Sequence, residues 1–286
     1  MIVVTGATGQ FGRQVVEHLL KRGVPARQIA AAVRTPAKAA DLAARGVDIR
    51  LANYERPETL LTAFDGADKL LLVSSTGPDD ARIVQHRAAV EAAAKTNVGL
   101  IAYTSVTAAP TSPLGLARVH RDTEQAIAEA GLPAVLLRNG WYTENYTAAL
   151  PDAVARGAVA GSAGRGRIAS ATRDDFAEAA AVVLTRDDEA GKVYDLTGDI
   201  AWSLPELAAE SAAQSGRPVA YADLPAEQYR QILIGAGLPD FVTDLIVDAD
   251  VQVSRGALAH VTTDLSTLLG RPTTPLSAAV AQALTA

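Results

Sequence analysis

Cysteine is absent from the 286 residues, which removes disulfides, thiolate metal sites, iron–sulfur clusters and cysteine nucleophiles together. Aromatic residues make up only 5% of the chain, and no apolar stretch approaches the roughly 18 residues that a membrane span needs. Basic residues are the minority. Lys plus Arg number 26 against 32 Asp plus Glu, so the formal net charge of −6 predicts no general affinity for nucleic acid phosphates. The first residues also lack the basic start and apolar stretch of a signal peptide. These absences predict a cytoplasmic protein with neither nucleic acid nor membrane as partner.

What is present is a chain of 49% hydrophobic and 20% charged residues, which excludes disorder, and a length that fits one large α/β domain with an extension. Short β-branched or apolar runs recur at Ile2 to Val4, Ile29 to Val33, Val47 to Leu51, Leu70 to Val73, Leu100 to Tyr103 and Ala134 to Leu137. Helical patterns separate them, among them Val15, Val16, Leu19 and Leu20, then Ile83 to Ala94 and Thr123 to Ala130. Such alternation predicts βαβ units, hence a Rossmann-type, doubly wound parallel sheet with helices on both faces. We assign this sheet to residues 1–140, joined by a later strand near 192–196. Residues 141–286 are expected to form a smaller, mainly helical lobe that carries the substrate pocket and is not an independent domain. Its apolar helices are as compatible with a homodimer as with core packing.

The segment Thr5-Gly6-Ala7-Thr8-Gly9-Gln10-Phe11-Gly12 lies after the first strand and before the first helix. In that place Gly6 permits a tight turn, Gly9 lets backbone amides approach a pyrophosphate, and Gly12 permits close packing of helix on strand. The helix N-terminus, with Thr8, Gln10 and Phe11 around it, then faces the phosphates with its partial positive charge. An Asp or Glu at the end of the second strand would select NAD. None occurs between Glu17 and Asp41, and Arg34 stands there instead, with Lys38 one turn later. A guanidinium suits a 2′-phosphate, so NADPH is the expected cofactor. Asn53, after the third strand, is read either as a contact to the adenine edge or as a turn asparagine.

These residues resemble a family: the NmrA-like branch of the atypical short-chain dehydrogenase/reductases, and within it the bacterial NAD(P)H:quinone oxidoreductases of type 2. Triphenylmethane dye reductases look like near relatives. The resemblance spans essentially the whole chain and is carried by Thr5 to Gln10, Val33 to Lys38, Ala102 to Ser105, Thr111 to Ala117, Leu137 to Tyr146 and Ile168 to Arg173. It implies direct hydride transfer from NADPH to a small quinone without flavin. None of the seven tyrosines has a lysine four residues on, so the Tyr-x-x-x-Lys proton donor of typical relatives is missing. A quinone tolerates that loss, because its hydroquinone anion is delocalised and takes a proton from water.

The resemblance also places candidate site residues. His120 occupies the position where isoflavone-reductase-like relatives keep a lysine, four residues before Glu124. It either orients the nicotinamide ribose or donates a proton, or else faces solvent. Ser74 and Ser75 end the fourth strand as cofactor contacts. Thr104 and Ser105 end the fifth, with Ser105 at the position of the family's catalytic serine. Ordinary strand-to-loop chemistry is the alternative for all four. Asn139, Gly140, Trp141 and Tyr142 follow the sixth strand, where an exposed glycine beside two aromatics suggests a wall for a flat ring, or a packed aromatic cluster. Gly164 to Arg167 reads as a surface turn rather than a phosphate loop. His18, His86 and His260 have no metal-ligand spacing, and no metal is expected. Two other functions stand beside the reductase: an NmrA-like redox sensor without turnover, and a reductase of another conjugated acceptor such as a triphenylmethane or azo dye.

Overall fold

The computed structural model describes residues 1–285. Six strands alternate with helices in the first half: β1 (Ile2–Thr5), β2 (Ile29–Val33), β3 (Asp48–Leu51), β4 (Lys69–Leu72), β5 (Leu100–Val106) and β6 (Ala134–Asn139). Two short strands, β7 (Ala158–Gly161) and β8 (Arg167–Ile168), precede β9 (Val193–Leu196), and β10 (Trp202–Ser203) and β11 (Ala220–Asp223) follow. The main sheet runs β3-β2-β1-β4-β5-β6-β9 and is parallel. This is the Rossmann-like arrangement that the alternation predicts. Its order reverses between β1 and β4, the place where open α/β sheets leave a crevice at their carboxyl ends.

The described residues divide into two units. The first holds 1–110, 118–139 and 173–195; the second holds 111–117, 140–172 and 196 onward. Helix Arg173–Leu184 therefore groups with the sheet, where it packs on helix Gln10–Lys21, whereas the short stretch 111–117 groups with the second unit. The reason is apolar: Phe176, Ala177, Ala180 and Val183 are buried on the later helix, and Val15, Val16 and Leu19 on the earlier one.

In the first unit β2, read Ile-Ala-Ala-Ala-Val, and β5 are buried at every residue, as strands covered on both faces must be. A core cluster that includes Val3, Leu60, Phe64, Leu70, Ile101 and Tyr103 packs there. Several elements exceed their sequence pattern. The fourth helix starts at Asp79, right after Pro78, with Asp79 and Asp80 in its first turn; the next covers Ala117–Glu129, since Ala117 and Val119 already point inward. In the second unit the glycine-rich segment after Arg156 contains β7 and β8, which the sequence pattern does not reveal. They pair with β11 and β10, strands contributed from far along the chain. Among the described residues no helix is long and apolar enough to cross a membrane.

Candidate dinucleotide site

The loop after β1 has the backbone that its glycines anticipate. Gly6 adopts φ +60°, a region that side-chain-bearing residues rarely enter, and its carbonyl accepts the Gly9 amide at 2.8 Å. A Cβ on Gly12 would stand 2.4 Å from the Gly6 carbonyl oxygen, so helix and strand approach as closely as a bare backbone allows. Gly9 caps helix Gln10–Lys21 without any side-chain hydrogen bond, and the first turn holds no acid. The helix thus presents unneutralised amides, the arrangement that accepts a phosphate. Gly6, Gly9 and Gln10 are exposed and Thr8 is half-buried. Phe11 is buried, so its side chain belongs to the core and only its backbone lies at the loop.

The charge pattern at the end of β2 favours a 2′-phosphate. Arg34 and Lys38 are exposed, and neither side chain is paired among the described residues. Asp41, the first carboxylate after β2, is gripped by Arg13, whose guanidinium also reaches the Lys38 carbonyl at 3.2 Å. The hydrogen bond and charge of Arg13 hold the Asp41 carboxyl below its ordinary range. Asn53 follows β3 in an Asx turn: its Oδ1 accepts the Glu55 amide at 3.0 Å, and its own amide donates to Thr59 Oγ1 at 2.9 Å. Tyr54, which sequence reasoning missed, hydrogen-bonds the Val73 carbonyl at 3.0 Å and lies 2.6 Å from Thr5 Oγ1. It ties the ends of β1 and β4 together behind the loop.

At the ends of β4 and β5 the predicted residues meet. Thr104 Oγ1 accepts the Ser74 amide at 2.9 Å, and Arg82 donates to Ser74 Oγ at 2.9 Å. Ser105 donates its hydroxyl to Glu124 Oε1 at 2.5 Å. Arg138 holds both oxygens of that carboxylate, at 2.9 and 2.7 Å, and this partnership raises the guanidinium further above its ordinary value. A hydroxyl that gives its proton to an ion-paired carboxylate is left with lone pairs to offer, so Ser105 faces any ligand as an acceptor.

His120 does not face solvent. It is 6% exposed, its Nδ1 lies 2.9 Å from Tyr103 Oη, and burial beside Arg82 holds it neutral, well below the ordinary histidine value. Burial likewise pushes the Tyr103 hydroxyl above its ordinary value. Arg82 and the role of Tyr103 were not singled out from sequence, because nothing local distinguishes them from other helix and strand residues; Glu124 was marked only as the reference position for His120.

The second unit carries the aromatic segment. Gly140 is not the exposed glycine expected from sequence: its amide donates to Leu196 O, and a Cβ would stand 2.9 Å from that same oxygen. This close backbone approach by itself requires glycine here. Trp141 is buried and Tyr142 half-buried, while burial, reinforced by Asp250, holds the Tyr146 hydroxyl well above its ordinary value. Trp202 meets Tyr146 edge to face at 5.5 Å and donates to Ser170 Oγ at 2.9 Å. Asp250, 1% exposed, accepts the Ser162 amide at 2.8 Å and the Tyr146 hydroxyl at 3.2 Å; burial pushes its carboxyl up to about 6. The amides of Ala163 and Gly164 go to Tyr221 Oη and Asp223 Oδ1. Three successive amides before Arg165 are thus already satisfied within the chain and offer a phosphate nothing.

With this cradle and sheet order, the chain belongs to the NAD(P)H-binding family, which it matches over residues 6–187, and to its NmrA-like, atypical short-chain dehydrogenase/reductase branch. It is 49% identical to quinone oxidoreductase 2 of Escherichia coli, over 98% of this chain and 97% of that one. The crystal structure of an NADPH-dependent quinone oxidoreductase from Escherichia coli in complex with NADPH superposes with a TM-score of 0.95 at 48% identity, covering 99% of both chains. The triphenylmethane reductase of Citrobacter sp., complexed with NADP(H), gives 0.96 at 39% identity, over 99% of this chain and 100% of that one.

Proposed function

We propose that this protein is an NADPH-dependent quinone oxidoreductase that passes a hydride directly from NADPH to a quinone, without flavin. The observation that carries the reading is a cofactor cradle with no poised proton donor beside it. Ser105 spends its proton on Glu124, His120 is held neutral, and the Tyr103 hydroxyl is pushed up by burial. A ketone would need a protein acid at the oxygen, whereas a quinone leaves as a delocalised anion that water can protonate.

The residues present fit the dinucleotide: bare amides at the Gly9 cap, an open approach beside Gly6, and unpaired cations at Arg34 and Lys38. NADPH supplies the hydride, and the chain's own groups bind and orient. Gly6 to Gly12 hold the pyrophosphate, Arg34 and Lys38 the 2′-phosphate, and Ser74, Ser75 and Thr104 the sugar side. Ser105 accepts a hydrogen bond, and His120 acts by position through Tyr103 rather than by proton transfer. The half-buried Tyr142 carries a flat aromatic ring of the kind on which a quinone stacks. Rate acceleration then comes from orientation, worth about 7 to 11 kcal/mol in well-aligned systems. We place this reaction in the cytoplasm.

The test is oxidation of NADPH by the purified, flavin-free protein with simple benzoquinones, triphenylmethane dyes and azo dyes in parallel. Quinone-dependent turnover well above that with the dyes is expected. Binding of NADPH without turnover of any acceptor overturns the reading in favour of a sensor.

A further inference from the structure

His86 lies on helix Asp79–Lys95, fully buried, and the surrounding hydrogen bonds leave it one tautomer. The Ser75 backbone N–H can only donate, and it reaches Nε2 at 2.9 Å, with Ser75 Oγ at 3.1 Å from the same nitrogen. Nε2 therefore carries a lone pair and Nδ1 the proton. Nδ1 lies 2.8 Å from Thr123 Oγ1, which gives its own proton to the Val119 carbonyl at 2.8 Å and so is free to accept. Every donor in this relay has one acceptor, and its direction is set. Burial, reinforced by Arg82, pushes His86 down to about 3, so the relay stays neutral at any ordinary pH.

Ser75 belongs to the crest that follows β4, beside the topological switch point of the sheet. The Ser74 amide on the same crest is taken by Thr104, and its hydroxyl by Arg82. We infer that His86 is a positioning residue: by accepting the Ser75 amide on a fixed lone pair, it holds the Ser74–Ser75 crest in the conformation that receives the dinucleotide. This rests on the reading that the crest contacts the cofactor. It makes His86 part of NADPH affinity without touching NADPH.

The experiment measures direct binding of NADPH and of NADH, by nicotinamide fluorescence and without quinone, to the full chain and to His86→Leu, His86→Gln and Thr123→Val. Thermal melting confirms folding. His86→Leu leaves the Ser75 amide unpaired, and about tenfold weaker binding of both dinucleotides is expected. Glutamine places an amide oxygen near the Nε2 position, so His86→Gln should bind within about threefold of the unaltered protein. Thr123→Val removes the acceptor that fixes the tautomer, and binding about three- to fivefold weaker is expected. Imidazole nitrogen NMR should show the His86 ring, assigned by its loss in His86→Gln, as the Nδ1–H tautomer alone from pH 5 to 9 in the unaltered chain and as a mixture in Thr123→Val. Unaltered affinity in a folded His86→Leu overturns the inference, as does equal weakening in the leucine and glutamine variants. Should the leucine variant not fold, unaltered affinity in Thr123→Val overturns it. A chain that binds NADPH but reduces no quinone counts against the reductase reading and not against His86.

Discussion

Ser105 and Glu124 form a hydroxyl–carboxylate hydrogen bond of 2.5 Å, in which the serine is the donor and Arg138 clamps the acceptor from the other side. This orientation removes the serine from the list of proton donors and leaves it as a recognition group. Ser105→Ala is therefore expected to lower kcat with benzoquinone by no more than about threefold, the cost of one ordinary hydrogen bond. A hundredfold loss at saturating NADPH would show that its proton does reach the acceptor. Glu124→Ala removes both hydrogen bonds to the Arg138 guanidinium, whose side chain is 15% exposed and keeps only the longer contact of 3.8 Å to Asp195, and should destabilise the fold by about 1 to 3 kcal/mol in chemical denaturation.

The lack of a poised acid also sets the pH profile. His86 and His120 are neutral throughout the ordinary range, the first with its value pushed down to about 3. With neither of these histidines changing charge, kcat for quinone reduction should stay flat within about twofold from pH 7 to 9, above the Asp250 titration near 6. A bell-shaped profile in steady-state kinetics would contradict this.

The proposed basis of cofactor choice is the end of β2, where the Arg34 and Lys38 side chains have no partner among the described residues and Asp41 is taken by Arg13. Arg34→Glu replaces an attractive group by a repulsive one. Its KM for NADPH should rise about 30- to 100-fold, with change of no more than about threefold for NADH. Parallel kinetics with both dinucleotides check this, and equal loss with both would move the 2′-phosphate away from Arg34.

Gly12→Ala drives a methyl carbon to 2.4 Å from the Gly6 carbonyl oxygen, in the loop proposed to receive the pyrophosphate. The variant should lose about 1 to 3 kcal/mol of stability and most of its NADPH affinity. Calorimetric titration with NADPH together with thermal melting measures the two effects separately.

Asp250 makes stability depend on pH in a direction opposite to that of an ion-paired carboxylate. Its value is raised in the fold, to about 6 from an ordinary 3.8, chiefly by burial. The folded state therefore binds the proton more tightly than the unfolded state. Its contribution is fully present below about 3.8 and is lost as pH rises through about 6, amounting to about 3 kcal/mol. Asp250→Asn removes the ionisation while keeping an acceptor for the Ser162 amide. In urea denaturation the variant should gain on the unaltered protein between pH 4 and 8, and a constant difference across that range would rule out Asp250 as the titrating group.

The local arguments that succeeded concern groups acting within a few residues of one another. The alternation of Ile2 to Val4 with the glycine loop and the helix behind it specifies strand, turn and helix in one stretch, and β1 to β6 follow the same rhythm. Gly6 and Gly12 were legible because a positive φ and a bare-backbone approach admit nothing else. The exposed cation at the end of β2, Arg34, stands where the sequence puts it, and its proposed role in cofactor choice rests on that single strand end. By contrast, β7 and β8 carry small residues with no period of their own, and only the arrival of β11 and β10 makes them strands. Gly140 looked like a ligand-facing glycine until Leu196, 56 positions later in the chain, filled the space.

Sequence alone determined the parallel sheet, the tight glycine turn after β1, the NADPH-binding class and the absence of a Tyr-x-x-x-Lys acid, because each is written in neighbouring residues or in a count. Tertiary structure decided which way protons point. The Ser105 proton goes to a carboxylate 19 residues away, the His86 tautomer is set by Thr123 at a separation of 37, and Asp250 is buried against an amide 88 residues distant. Burial and hydrogen-bond direction are properties of what surrounds a group on every side, and a linear chain shows only what comes before and after it.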